Sequence, residues 1–359
     1  MLTPDFPPAP GGIQRLMHGL VRHWQNIDAR VLTFDAPGAR EFDRDEPVEI
    51  LRVKKPRILG HKGAIAWLNA AAVVEALRFR PQAVLSAHVV TSPAAWLIRR
   101  ALSVPVIQYL HLGEVNARPR LAAFAVRQAT GVVTVSRPTA VVALACGANP
   151  DKLHLIPPGV AVPSPASAPR SARPLMVTVS RLRDPYKGHD VIIQALPLVR
   201  GLVPDLLWVV IGDGRLRAHY ERTVEEHGLS DHVRFLGTVS DSERDAWLDR
   251  AHVFVMPSRS TPEGQGEGFG IVYLEAAAHG LPVVAGNVDG AVDAVVDGDT
   301  GLLVDPTDPK AVAGALIELL LDEGRAERMG RAALARAARF GWARVAAQVE
   351  ELLIQMAGR

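Results

Sequence analysis

The chain has 359 residues, which suits two domains of ordinary size, and its 48% hydrophobic and 22% charged residues exclude disordered and fibrous proteins. A formal net charge of +2 argues against a protein built mainly to bind nucleic acid. Cys146 is the only cysteine, so an intramolecular disulfide framework is excluded and a reducing, cytosolic location is expected.

Short apolar runs alternate with longer amphipathic runs, which is typical of strands and crossover helices in a parallel sheet. In the first half of the chain we expect helices at 64–79 and 92–102, and strands at 83–87, 104–110, 131–136 and 152–157. The proline-rich stretch 162–174 interrupts the pattern and is predicted to be an interdomain linker. The alternation then restarts, with strands expected at 175–180, 206–212, 233–237, 252–257 and 281–286.

This pattern predicts two doubly wound, Rossmann-like α/β domains that face each other across a cleft. The cleft is the expected ligand site, because ligands bind such sheets outside the carboxyl ends of the strands. We assign residues 1–162 to an N-terminal domain that binds the acceptor and residues 163–341 to a C-terminal domain that binds the donor. The helix at about 342–359 is expected to pack back on the first domain.

The start of the chain raises a separate expectation. The first strand of such a domain is central, yet only residues 1–3 precede the turn at Pro4. Because strands usually run for about 3–10 residues, we expect the sequence to begin inside this strand, with several apolar residues before it in the natural product. The segment lacks the pattern of a signal peptide, and no apolar run reaches the roughly 20 residues of a membrane-spanning helix.

Two glutamates frame a glycine-rich helix start in the second domain. The stretch 266–280, GEGFGIVYLEAAAHG, places Glu267 in a loop and Glu275 one turn into the predicted helix. A helix start with glycines favours an anion such as a diphosphate. Glu267 would then bind hydroxyls of a sugar on the distal phosphate, and Glu275 those of a ribose. The residues expected to line the diphosphate are Gly268, Phe269, Gly270, Ile271 and Val272. The alternative is that both glutamates are ordinary solvated residues.

Two cations are expected at the same edge of the sheet. Arg181 and Lys187 lie in the stretch SRLRDPYKG, directly after the predicted strand at 175–180. Positive charges aimed at a diphosphate neutralise it and also stabilise the charge that develops when a bond to it breaks. The alternative is a pair of solvated surface cations, which is the usual environment of these residue types.

These elements together resemble the retaining glycosyltransferases of family 4, which have the GT-B fold, and the resemblance covers nearly the whole chain. It rests on Glu267-x7-Glu275, the SRL…KG element, GDG at 212–214 and FPPAPGGIQRL at 6–16. Within the family, the chain looks most like the GDP-mannose-dependent phosphatidylinositol mannosyltransferases. That closer likeness lies in residues 5–14, 109–115 and 267–286.

The resemblance implies roles for further residues. Gly11 and Gly12 would lie against the donor phosphates, His111 would contact the transferred sugar, and Val239 would lie near the base. Gly212 of the GDG element is assigned to the donor site as well. The donor is expected to be GDP-mannose, the acceptor a glycolipid or another cell-envelope glycan, and no cofactor is expected. One departure is LHLGE where the relatives tend to have THGHE, so that Gly113 replaces a second histidine.

The expected mechanism follows from the residue types around the sugar. A double displacement needs a carboxylate nucleophile, and Glu267 is better explained as a hydroxyl ligand. We therefore expect the nucleoside diphosphate to leave and the acceptor hydroxyl to attack the same face; the leaving phosphate itself could take the proton. The acidic pair at 43–45 lies in an acidic loop and the pair at 297–299 in a turn signal, so both are interpreted as solvated loop acids rather than metal ligands, and a metal-independent reaction is expected.

Other interpretations stay open from the sequence. A nucleotide-sugar epimerase of the same fold would use the same diphosphate site without an acceptor, and a non-catalytic protein would bind the nucleotide sugar only. His88, at the end of a predicted strand, is either an acceptor contact or a satisfied histidine of the core or the cleft wall. Basic and apolar residues at 12–24, 52–57 and 118–120 suggest peripheral contact with an anionic membrane at its inner face.

Overall fold

The computed structural model describes residues 1–56, 60–163 and 169–358, and the chain divides into two compact α/β units. The first unit comprises Met1–Gly159 and the C-terminal segment from Trp342, and the second comprises Val160–Gly341. Part of the predicted linker, residues 164–168, and Arg57 of the basic segment at 52–57 lie outside the described residues.

The first unit is built on a parallel sheet. Its strands are β1 (Arg30–Phe34), β2 (Glu49–Val53), β3 (Val84–Ser86), β4 (Val106–Leu110), β5 (Gly131–Thr134) and β6 (Leu153–Leu155). β1 pairs with β2, and β3 to β6 pair in chain order. Leu2 forms parallel bridges with Leu32 and Ser86, so it lies between β1 and β3 in the centre of the sheet. That additional residues precede it stays a prediction.

Eight helices of the described residues belong to this unit: α1 (Gly12–His23), α2 (Ala39–Arg44), α3 (His61–Phe79), α4 (Ser92–Leu102), α5 (Leu112–Ala117), α6 (Pro119–Gln128), α7 (Arg137–Ala145) and α15 (Trp342–Ala357). The last helix packs against α1. The Trp342 ring lies so close to Gly19 and Gly159 that a Cβ at either position would come within 2.3 and 2.2 Å of it, which only glycine permits.

The second unit contains six parallel strands in the order β12-β11-β10-β7-β8-β9. They are β7 (Leu175–Val179), β8 (Leu207–Ile211), β9 (Val233–Gly237), β10 (Val253–Met256), β11 (Val283–Gly286) and β12 (Gly301–Val304). The helices are α8 (His189–Leu202), α9 (Arg217–Glu226), α10 (Asp241–Arg250), α11 (Ile271–Ala278), α12 (Ala291–Ala294), α13 (Pro309–Leu321) and α14 (Glu323–Ala337). Continuous apolar strands suit a sheet covered on both faces.

Buried side chains fix the sheets in register. In the second unit, Trp208 of β8 is fully buried and its indole N–H donates to the Thr178 hydroxyl of β7 at 3.0 Å.

In the first unit, the apolar side of α1 is buried through Leu16, Met17 and Leu20. Those residues are therefore turned to the interior and do not offer the apolar surface to a membrane that was expected for this helix. Among the described residues, none of the helices combines the length and apolar character needed to cross a membrane.

Candidate active site

The second unit brings the predicted donor-site residues to one edge of its sheet. Arg181 follows β7, Gly212 follows β8, and Val239 lies between β9 and α10. The loop that carries Glu267 follows β10, whose neighbour in the sheet is β7. Because the carboxyl ends of adjacent parallel strands meet at the same edge, residues distant in sequence become neighbours where such sheets bind ligands.

Lys187 and Glu267 form a direct ion pair at this edge. Lys187 Nζ donates to Glu267 Oε2, and the two side chains are only 11% and 15% exposed. Burial opposes the charged form of the lysine, but the Glu267 carboxylate outweighs burial and raises the pKa of Lys187. The ammonium group is therefore charged at neutral pH. The sequence predicts both residues for this site but not their contact, because no local pattern links positions 80 residues apart.

The second predicted cation, Arg181, is more open. Its guanidinium group lies 3.1 Å from Asp184 Oδ2, and its side chain is 50% exposed. The turn Pro185–Lys187 that follows is held by a two-point contact of Arg259 with Asp190, at 3.0 and 2.8 Å. The Arg259 N–H also donates to the Tyr186 carbonyl at 2.8 Å. The loop after β10 thus fixes the turn that carries Lys187.

Gly212 allows two strand ends to approach closely. Its φ is 127°, and a Cβ there would lie 1.9 Å from the Ser180 carbonyl oxygen, so only glycine fits. Its N–H donates to the Gly237 carbonyl at 2.8 Å. This packing holds the residue before Arg181 against the end of β8. The structure therefore gives Gly212 a backbone reason to be glycine, and its contact with a donor stays a prediction.

The residues predicted to line the diphosphate surround the start of α11. Gly268 and Phe269 precede it, Gly270 is the N-cap in the left-handed conformation with φ 86°, and Ile271 and Val272 are its first residues. Phe269 is buried, which anchors the loop. A helix start carries a partial positive charge from its unpaired N–H groups, and it therefore favours a bound anion.

Glu275 lies on α11 beside a cation that the sequence pattern does not indicate. Burial lowers the pKa of Arg244 on α10, but the Glu275 and Asp245 carboxylates outweigh it and raise that pKa. The Arg244 guanidinium also contacts Asp241 and Asp245, at 2.6 and 2.7 Å. Nothing in the local sequence of α10 indicated that this arginine faces another helix. The binding of a ribose by Glu275 stays a prediction.

In the first unit, His111 lies in a buried hydrogen-bonded group. It follows β4, and its Nε2 is 3.1 Å from the Ala87 carbonyl oxygen. Because a carbonyl can only accept, Nε2 carries the proton. Burial lowers the pKa of His111, so the ring is neutral at physiological pH. Its backbone N–H donates to Glu114 Oε1 at 3.0 Å, which makes Glu114 part of the support of His111.

The two glycines near the start of the chain lie at the beginning of α1. Gly11 is the N-cap and Gly12 the first helical residue, and a Cβ at Gly12 would meet no atom within 4 Å. Space is therefore open at Gly12, whereas a Cβ at Gly11 would come within 2.1 Å of Gln14 Oε1. Contact with donor phosphates stays a prediction.

The acidic pairs that imitate metal ligands have other partners. Arg52 binds Asp43 at 2.6 and 3.0 Å, and Asp297 accepts a backbone N–H from Leu303 at 2.9 Å. Across the described ranges, no three or more His, Cys, Asp or Glu side chains are grouped so as to hold a metal ion.

Two family models match the chain, one in each half. The model described as Glycosyltransferase Family 4 matches residues 10–162, and the model described as Glycosyl transferases group 1 matches residues 164–336. The chain is 35% identical, over 92% of its length and 91% of the relative's, to a GDP-mannose-dependent alpha-(1-6)-phosphatidylinositol monomannoside mannosyltransferase of Mycolicibacterium smegmatis. It is 32% identical to the protein of the same name from Mycobacterium tuberculosis, over 98% and 97% of the two chains.

Solved structures agree on the fold. The chain superposes on the Anabaena protein HepE, solved with UDP and glucose, with a TM-score of 0.81 at 20% identity, and the match covers 99% of each chain. Sucrose-phosphate synthase from Thermosynechococcus elongatus gives a TM-score of 0.82 at 21% identity, covering 99% of this chain and 98% of that one. The predicted GT-B class is confirmed, and the relatives support the transferase interpretation rather than either alternative. The chain belongs to the family 4 glycosyltransferases and is a glycosyltransferase with the GT-B fold.

Proposed function

We propose that the enzyme transfers mannose from GDP-mannose to a hydroxyl group of a phosphatidylinositol mannoside or a similar cell-envelope glycolipid, with retention of configuration and without a metal ion. The names of relatives that share about a third of their residues with this chain support the donor and the acceptor class. The observation that carries the proposal is the buried, charged Lys187 beside Glu267, at the sheet edge that also carries Arg181.

The arrangement in the second unit supports donor binding there. Lys187, Arg181 and the start of α11 supply positive potential in front of one sheet edge, which suits a diphosphate. Negative charge on that group grows as the bond to the sugar breaks, so fixed cations stabilise the transition state more than the ground state. The side chains thereby provide the positive charge that a metal ion provides in other enzymes, which supports a metal-independent reaction.

The state of Glu267 supports direct attack on the same face rather than a covalent intermediate. A carboxylate that is paired with a buried ammonium group is a weaker nucleophile than a free one. The pairing also leaves the second carboxylate oxygen of Glu267 for a sugar hydroxyl. In this proposal, Glu267 and His111 orient the sugar, Glu275 binds the ribose and Val239 lies near the base. The first unit binds the acceptor.

Peripheral membrane contact is part of the proposal, and α3 supports it better than α1. Trp67, Val74 and Leu77 lie on one side of α3 and are 51%, 49% and 45% exposed. Lys62 and Arg78 are exposed on the same helix. Apolar side chains flanked by cations are typical of helices that lie in the surface of an anionic bilayer.

The proposed reaction is tested by following product formation by proton NMR with GDP-mannose, a phosphatidylinositol mannoside and excess EDTA. We expect the mannosyl product to have the α configuration of the donor and the rate to be unchanged by EDTA. UDP-glucose in place of GDP-mannose should give at most slow transfer. A β-linked product, a loss of activity in EDTA, or faster transfer from UDP-glucose would each contradict the corresponding part of the proposal.

Membrane contact is tested by flotation with vesicles of anionic or neutral lipid. We expect the protein to float with anionic vesicles, and the Trp67→Ser, Val74→Ser double variant to lose this binding. Val141→Ser is the matched control, since Val141 is a 65% exposed apolar residue on α7 of the same unit. Equal flotation of the double variant and the control would contradict the proposal that α3 contacts the membrane.

A further inference from the structure

A cavity of about 410 Å³ lies within the first unit, at the carboxyl ends of its strands. Five of the twelve residues that line it have titratable side chains, and the lining residues come from several loops and from the start of α3. The polar and charged members are Asp5, Lys55, His61, His88 and Arg118. This position matches the edge where doubly wound sheets bind ligands.

His88 contributes to the cavity wall and is anchored from behind by a buried carboxylate. β3 ends at Ser86, and His88 comes after Ala87 in the loop that follows. The Nδ1 atom of His88 lies 2.7 Å from Glu114 Oε2. The Val90 N–H lies 3.1 Å from the same nitrogen and could bond to it only if Nδ1 were unprotonated. The contact to the carboxylate is shorter and involves an ionised partner, so the proton is assigned to Nδ1.

Glu114 is well placed to hold this tautomer. Its side chain is 3% exposed, and it accepts the backbone N–H groups of Val89 at 2.7 Å and His111 at 3.0 Å. Burial raises the pKa of Glu114, but the neighbouring His88 and these donors outweigh burial and hold the pKa below its usual value. The carboxylate is therefore ionised, and it fixes both histidines at the ends of neighbouring strands.

The other ring nitrogen of His88, Nε2, is available to a molecule bound in the cavity. With Nδ1 bound to Glu114, Nε2 of the neutral ring is a hydrogen-bond acceptor. The side-chain contacts of His88 with Glu114 and Val90 both go to Nδ1, and His88 lines the cavity with 11% of its side chain exposed. An unprotonated ring nitrogen at a cavity wall can accept a hydrogen bond from a bound hydroxyl group.

We propose that the His88–Glu114 pair binds the nucleophilic hydroxyl group of the acceptor in this cavity and that His88 Nε2 takes the hydroxyl proton during transfer. This inference rests on the proposed function. The acceptor oxygen forms its bond to the sugar carbon while the bond between that carbon and the diphosphate breaks. The electron pair leaves with the diphosphate, and the proton moves from the acceptor oxygen to Nε2. Glu114 stabilises the resulting imidazolium ion.

The groups around His88 set the pH at which it can act as a base. Burial lowers its pKa, but the Glu114 carboxylate outweighs burial and raises the pKa above the usual 6.5. The negative charge of Asp5 also raises the pKa of His88, and the positive charge of Arg118 lowers it. The remaining titratable groups that face this region are His111 beside Glu114, and Lys55 and His61 across the cavity. Because the neutral ring is the base, transfer should fall as the pH drops through this raised pKa.

Two substitutions separate the roles of the two ring nitrogens. His88→Asn keeps a donor near the position of Nδ1 for Glu114 and removes Nε2. His88→Gln keeps a polar atom near the position of Nε2 and removes the donor to Glu114. We expect His88→Asn to lower acceptor-dependent turnover on the order of 10², the low end for a lost general base because the leaving phosphate can still accept the proton. His88→Gln should keep the acceptor KM closer to wild type but also lose turnover.

The assay follows GDP release from GDP-mannose with and without a phosphatidylinositol mannoside. Hydrolysis of GDP-mannose without acceptor should fall less than transfer in both variants, because a water nucleophile can also pass its proton to other water molecules or to the leaving phosphate. The acidic limb of the pH profile of transfer should disappear in His88→Asn. His18→Asn is the matched control, because His18 Nε2 lies 2.9 Å from Glu46 Oε1 in the same unit but outside the cavity.

Distinct results overturn the inference and the proposed function. Wild-type transfer rates in His88→Asn, with a loss only in His88→Gln, would mean that His88 merely supports Glu114. An equal loss of hydrolysis and transfer would mean that His88 acts on the donor or on folding. If wild-type protein releases no GDP from GDP-mannose with either acceptor or water, the proposed function itself fails.

Discussion

Replacing Lys187 with Ala is expected to lower kcat by on the order of 10² to 10³, as loss of one pre-aimed charge partner of a transition state typically does. The ammonium group is nearly buried and is held charged by Glu267. Water cannot replace its charge easily in that environment, because a buried site has a low effective dielectric constant. The donor KM should change less than kcat, since the charge on the diphosphate grows only as the sugar bond breaks.

Steady-state kinetics with varied GDP-mannose measure this effect. Lys310→Ala is the matched control, since Lys310 is an exposed lysine in the first turn of α13 in the same unit. Its kcat and KM should equal those of the wild type. A Lys187→Ala variant with wild-type kcat and a raised KM would show that the lysine binds the ground state and transition state equally, against the role assigned to it.

Glu267→Ala is expected to lower both stability and turnover. The substitution leaves the Lys187 ammonium buried and without its partner, which costs about 2 kcal/mol of the free energy of unfolding for a pair that keeps some solvent contact. It also removes the acceptor proposed for the hydroxyls of the transferred sugar. We expect kcat to fall by roughly 10- to 100-fold, less than for Lys187→Ala, because hydrogen bonds to the sugar tighten only partly in the transition state.

Urea unfolding and steady-state kinetics on the same preparations test both parts. Glu263→Ala is the control, since Glu263 is an exposed carboxylate of the same loop, and it should match the wild type. The Lys187→Ala, Glu267→Ala double variant should regain part of the lost stability, because it leaves neither charge unpaired. If Glu267→Ala is as stable as the control, the ion pair contributes nothing to the folded state and its proposed strength is wrong.

The sequence was sufficient to predict the strands with the strongest apolar runs. The helix expected at 92–102 has these bounds in the structure, and the strand expected at 233–237 also agrees. The strands β1, β2 and β12 were missed. β2 has Glu49 and Arg52 among its five residues, and Arg52 binds Asp43, so charged side chains with distant partners obscured the apolar signal. Such partners are fixed by tertiary contacts rather than by local pattern.

Residue types in the candidate site were easier to predict than their contacts. Arg181, Lys187 and Glu267 were singled out because each residue type suits a sugar diphosphate at a sheet edge. The pairing of Lys187 with Glu267 and the approach of Arg244 to Glu275 depend on strand order, which the sequence pattern does not specify. The same holds for His88, because the contact with Glu114 and the position at the cavity wall, which distinguish its interpretations, both depend on tertiary structure.

The central claim is that the donor diphosphate lies between Glu267 and Glu275, with the cations acting on it. The most direct test is to measure kcat and donor KM of Glu275→Ala beside those of Arg181→Ala. A ribose contact made equally in the ground and transition states predicts a raised KM with nearly unchanged kcat for Glu275→Ala. Arg181→Ala should mainly lower kcat. If Glu275→Ala loses turnover while Arg181→Ala loses only donor affinity, the diphosphate does not lie there.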